Sequence, residues 1–167
     1  MRKLRILFIL IFFLAISCQE TNKALVNQDI KIKDFEFSPP VKLVSISTKY
    51  RIRNNIFNWP EFTAFTNSFE NLTKLNPEGI LVFIEELELK LKVLSKSNFP
   101  KKLDLPDIKS RLKVVQTMLL QSKYHSKNKD WKSLDESLRS LYTSYNSFID
   151  RIKSINEEIN LFSSENN

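Results

Sequence analysis

The feature that most limits what this chain can become is an apolar seam between residues 134 and 162. Leu134, Leu138, Leu141, Tyr145, Phe148, Ile152, Ile155, Ile159 and Phe162 recur at spacings that alternate four and three. Sustained over this length, the pattern specifies one long helix packing at a shallow angle against other helices. At 1.5 Å per residue such a helix runs about 45–50 Å.

Three shorter segments carry matching stripes. The first opens at Asn58-Trp59-Pro60-Glu61, with Asn58 as cap and Pro60 in the first turn, and presents Trp59, Phe62, Phe65, Phe69, Leu72 and Leu75. The second opens at Asn76-Pro77, carries Ile80, Phe83, Ile84, Leu87, Leu91 and Leu94, and ends near Ser97-Asn98. The third starts between Asp104 and Pro106 and carries Ile108, Leu112, Val115 and Leu119. The long helix starts near Asp130 or Ser133, where Ser133-Leu134-Asp135-Glu136 reads as a capping box. The expected fold is all-α, an antiparallel bundle of three to four helices over residues 58–167. The second and third helices, at about 30–35 Å, are outreached by the last. Its end from Ile152 to Phe162 must therefore be covered by the first helix, by residues 41–57, or by a partner chain.

Residues 18–57 read differently. Residues 19–29 are polar and without period, as a tether requires. Val44, Ile46, Thr48, Tyr50 and Ile52 then alternate with Ser45, Ser47, Lys49, Arg51 and Arg53, which argues for strand-like extended chain lying on the helices.

Scarcity excludes much chemistry. One Gly in 167 residues leaves no phosphate-cradling loop. One Cys removes disulfide frameworks and multi-Cys zinc sites. The single His125 has Ser122, not Glu, three residues before it, so the carboxylate-bridged metal motif of helical bundles is missing. Glu85, Glu86 and Glu88 are neighbours on one helix and read as a solvated face. Nucleophilic triads lack material. The expectation is a non-enzymatic protein with no metal and no cofactor.

Residues 1–17 hold Arg2, Lys3 and Arg5, then an apolar run from Ile6 to Ile16 that is too short for comfortable spanning. Small Ser17 follows, directly before Cys18. Leu14-Ala15-Ile16-Ser17-Cys18 resembles the lipobox of bacterial membrane lipoproteins, with Ala15 where leucine is usual. The resemblance implies cleavage before Cys18 and acylation of that residue, so that the chain is held to a membrane through an N-terminal lipid anchor. Two or more acyl chains give stable anchoring where one is marginal. The Asn/Lys/Ile/Phe-rich composition and the segment Leu105 to Lys113 also resemble small helical lipoproteins of Bacteroidota type. That likeness implies a cell-envelope location and no particular chemistry. Glu20 alone among the residues just after Cys18 is acidic, which favours a periplasm-facing protein over surface export.

The formal charge of +7 is unevenly spread. Residues 101–129 hold eight basic and two acidic side chains, whereas 58–100 and 130–167 are both net acidic. Lys109, Arg111, Lys113, Lys123, Lys127 and Lys129 are thus a candidate surface for an acidic partner or anionic ligand, or else the basic half of a charge-complementary helix pair. An exported lipoprotein rarely meets nucleic acid, so none is expected. Phe57, Trp59, Phe62, Phe65 and Phe69 are either core or the lining of an apolar groove. The leading expectation is an adaptor or accessory subunit of an envelope complex, with a partner protein or self-association through the long helix. The alternative is a binding module for an apolar or anionic small ligand.

Overall fold

The computed structural model describes residues 35–38, 41–72 and 79–165, with side chains to residue 155. The leader, Cys18, the tether, Leu75, Asn76-Pro77, and the side chains of Ile159 and Phe162 lie outside the described residues. Five helices follow in order: α1 (Thr48–Arg53), α2 (Pro60–Leu72), α3 (Ile80–Lys96), α4 (Pro106–Lys127) and α5 (Trp131–Glu165), with one 3-10 turn at Ile56–Asn58. They pack antiparallel, and no strand occurs among the described residues.

α5 is the spine. Leu134, Leu141, Phe148, Ile149 and Ile152 are fully buried, and Leu138, Tyr142, Tyr145 and Ile155 nearly so. From Leu134 to Ile155 the seam read from the sequence is thus the buried face, widened by Tyr142 and Ile149. Asp130 caps it, its Oδ1 accepting from the Ser133 amide at 3.1 Å, so the helix begins before the Ser133 capping box. α4 runs back along one flank. The Arg111 guanidinium donates to Ser147 Oγ, and Arg151 pairs with Asp107. α2 lies on the other flank through rings: Phe62 and Phe65 meet Phe148, and Phe69 stacks on Tyr145 at 4.0 Å between centroids. Such offset or edge contacts add about 0.5–1.5 kcal/mol each beyond the area they bury.

Helix ends follow local chemistry. Pro60 and Pro106 each open a helix, where a missing N–H costs nothing and the fixed φ is already helical. Asn58 lies in the 3-10 turn before Pro60, not at the cap position expected of it. α3 stops at Ser97, whose hydroxyl donates back to the Leu94 carbonyl. Short of glycine, the α4–α5 turn places Lys129 in the left-handed region at φ 56°.

The strand-like course expected of residues 44–52 is not what the chain adopts. The alternation from Val44 to Ile52 is extended only through Ser47, after which α1 begins. Ser47 Oγ accepts from the Tyr50 amide and caps that short helix, leaving Ile52 60% exposed. Residues 41–47 satisfy their backbone with a side chain in place of a strand. The Asn146 amide accepts from Val44 N–H at 2.8 Å and donates to the Lys42 carbonyl at 2.9 Å. At one end of this segment the Ser38 amide and hydroxyl both donate to Asp135; at the other, the Tyr50 hydroxyl donates to the Lys153 carbonyl. Residues 35–38 and 41–50 therefore run alongside α5, meeting it at Asp135, Asn146 and Lys153, the last between the buried Ile152 and Ile155.

Candidate functional site

The six basic residues singled out on and beside α4 do not form one surface. Lys123 Nζ lies 2.6 Å from Glu88 and 3.6 Å from Glu85 of α3, and Lys127 lies 3.2 Å from Glu85. The hydrogen bond from Lys127 is the main reason the Glu85 carboxyl is held below the usual carboxylate range. The Glu88 carboxylate likewise raises the Lys123 ammonium. These two lysines are the basic half of a helix pair, and the acidic cluster of α3 is what they face. Lys129 sits in the α4–α5 turn.

Lys109, Arg111 and Lys113 belong to the other end of the bundle. Lys109 pairs with Asp104 and lies 5.6 Å from the centroid of the Phe99 ring. Arg111 donates to Ser147, and Lys113 is exposed with no ion pair among the described residues. The same end gathers basic residues that a segment-by-segment charge count does not connect. Trp59 Nε1 donates to Ser97 Oγ at 2.9 Å, and its ring packs on Phe99. Those contacts bring the corner between α1 and α2 to the α3–α4 loop. Tyr50 joins the same corner to Lys153 of α5. Exposed Lys49, Arg53, Lys96, Lys101 and Lys102 thus share one pole, and none has an ion pair among the described residues. Only the three-dimensional path of residues 47–59 reveals this grouping.

The aromatic cluster is also divided. Trp59, Phe62, Phe65 and Phe69 are at most 1% exposed and close-packed, so they are core and line no groove. Trp59 stacks on Phe62 at 4.9 Å and 15°. Their helical spacing points them at α5, which fills the space a ligand would need. Phe57 is the exception, 65% exposed in the 3-10 turn. It borders an open groove of about 630 Å³ between α1 and α2, together with Ile46, Arg51, Pro60, Thr63 and Ala64. The Arg51 guanidinium is held there by the Ile46 carbonyl and by Thr63 and Thr66 hydroxyls.

Other titratable groups serve the frame. Burial, with Asp135 adding to it, pushes the Tyr142 hydroxyl up to about 12. Burial raises that of Tyr145 as well, helped by Glu70 and opposed by Arg51. His125 closes the α4–α5 turn, with Nδ1 buried 3.5 Å from Asp130 Oδ2 and its ring edge-on to Tyr124. Hydrogen bonds from Ser133, with His125 a lesser contributor, hold Asp130 below the usual carboxylate range. No cluster of three metal-ligating side chains occurs among the described residues, and no described helix is long and apolar enough to cross a membrane.

Comparison with protein families, with curated proteins and with solved structures returns no match to this chain.

Proposed function

We propose that this chain is a lipid-anchored, non-enzymatic adaptor of the bacterial cell envelope, facing the periplasm and holding an acidic partner protein at the basic pole of its bundle. The observation that carries the reading is the position of Cys18, behind Ser17 and a basic-then-apolar leader. Two structural facts support the arrangement. Residues 35–38, the described residues nearest Cys18 in sequence, lie beside the α4–α5 turn, where Ser38 is gripped by Asp135. Exposed Lys49, Arg53, Lys96, Lys101, Lys102 and Lys113 lie toward the opposite end. A pole of unpaired cations on a tethered bundle suits a protein that presents a charged face to an acidic partner.

Metabolic labelling with an alkyne fatty acid tests the anchor. Wild type takes up label and Cys18→Ala loses it; an unlabelled wild type overturns the lipoprotein reading. Crosslinking in membranes tests the adaptor role. A partner protein should be captured, and its recovery should fall several-fold in a Lys96→Glu/Lys101→Glu/Lys102→Glu chain. If no other protein is captured, the adaptor reading is wrong.

The exposed Phe57 favours a second reading, a binding module whose groove takes an amphiphile with an anionic head near Arg51. A fluorescent fatty acid should then bind wild type and fail to bind Ala64→Trp, which fills the groove. Equal signals from both chains would remove this reading.

A further inference from the structure

The outer face of α3 keeps three large apolar side chains in water. Val82, Leu89 and Val93 are 68%, 64% and 56% exposed. Spacings of seven and four place them on one face, opposite the buried stripe of Ile80, Ile84, Leu87, Leu91 and Leu94. The charges of this helix are divided by sign about the middle of that face. Glu85, Glu86 and Glu88 precede Leu89, whereas Lys90, Lys92 and Lys96 follow it. Among the described residues the three lysines have no ion pair, and Glu86 is met only by the Ser68 hydroxyl, at 3.4 Å. Intramolecular packing accounts for Glu85 and Glu88 but leaves the rest of the pattern unused.

We propose that this face of α3 docks against the same face of a second copy, as an antiparallel helix pair about a two-fold axis near Leu89. A two-fold axis perpendicular to both helices sets each flank of α3 against the same flank of the other copy in reversed order. At 100° per residue, Glu86 and Lys90 share one flank of the apolar stripe, and Glu85 and Lys92 share the other. Glu86 of each copy then faces Lys90 of the other, and Lys92 lies across from Glu85, which it shares with Lys123 and Lys127 of that copy. Every pair occurs twice. The two Leu89 side chains meet near the axis, with Val82 and Val93 continuing the apolar strip on either side. A parallel arrangement would set carboxylate against carboxylate and ammonium against ammonium, so the charges select the antiparallel pair. One helix face per copy buries less than the roughly 1,200 Å² at which stable complexes begin, so the association is weak and sensitive to salt.

The test uses the full chain in membranes of expressing cells and a short bis-maleimide. Leu89→Cys should yield a covalent dimer in excess of wild type, which reports any contribution from Cys18; Ser110→Cys, on the exposed side of α4, should not. Adding Glu86→Lys or Lys90→Glu to Leu89→Cys should lower the dimer yield several-fold. Co-expressing those two charge variants under different tags should restore it as a mixed dimer, because unlike copies are again complementary. Glu86 is exposed and Lys90 half-buried, and recovery on mixing shows that each variant is folded. The proposal is overturned by no dimer at Leu89→Cys, by crosslinking to other proteins alone, by charge variants that dimerise as well as the parent, or by mixing that restores nothing.

Discussion

The two ends of the bundle hold together by different means. At the end of the α4–α5 turn, polar contacts dominate the junctions: Ser38 on Asp135, Lys123 on Glu88, Lys127 on Glu85, and Asp130 capping α5. At the opposite end, buried rings make the junction. Trp59 bridges Phe62 and Phe99, and of the cations there Lys109 and Arg151 are paired with Asp104 and Asp107 while Lys49, Arg53, Lys96, Lys101 and Lys102 stay in water. Exposed ion pairs are worth about 0–1 kcal/mol each, against several for a buried aromatic. The first end is therefore specified by charge order, whereas the second is stabilised mainly by apolar packing and keeps five of its cations free to meet something else.

The largest break in this contrast is Trp59→Ala. Removing the ring should cost about 3–5 kcal/mol, lose the bond to Ser97 and open the contact with Phe99. Denaturant unfolding reads the loss, and a cost below about 1 kcal/mol would put the stability of this end elsewhere. At the other end, Asp130→Ala should cost about 1 kcal/mol through the lost cap. Acid sharpens the comparison there. Asp130 has its carboxyl held low in the folded state, so its contribution is present above the ordinary carboxylate pKa and is lost as pH falls through the lower folded value. Asp130→Asn, which can still cap, should be about as stable as wild type at neutral pH and should lose less stability below about pH 4. Equal acid sensitivity in the two chains would assign the effect to other carboxylates. The smallest expected effect is a gain. Lys129→Gly relieves a left-handed lysine and should raise stability by about 0.5–1 kcal/mol, read as an upward shift in Tm.

The helices were legible because their apolar spacing and their prolines act locally. The α5 seam, the stop at Ser97 and the start at Pro106 all follow from neighbouring residues. Residues 44–52 were not, since alternation continues through Lys49 and Arg51 while the Ser47 hydroxyl diverts the chain into α1. That the partner of residues 41–47 is the Asn146 side chain, about a hundred positions away, has no local signal. The candidate sites divide in the same way. Spacing places Phe62, Phe65 and Phe69 on one face, but whether that face is covered depends on α5, and here it is. Counting charge along the chain grouped Lys123 and Lys127 with Lys109 and Arg111, although α4 is long enough to carry them to opposite ends. It also separated Lys49 and Arg53 from Lys101 and Lys102, which the Trp59 corner brings to one pole.

Under the proposed function, everything about how the bundle meets a membrane depends on Cys18. The most direct measurement is the intact mass of the chain extracted from membranes of cells that express it. The account predicts a chain that has lost residues 1–17 and gained the mass of acyl chains, with fragmentation assigning the addition to Cys18. A chain that keeps its leader, or one cleaved without acylation at Cys18, would contradict it.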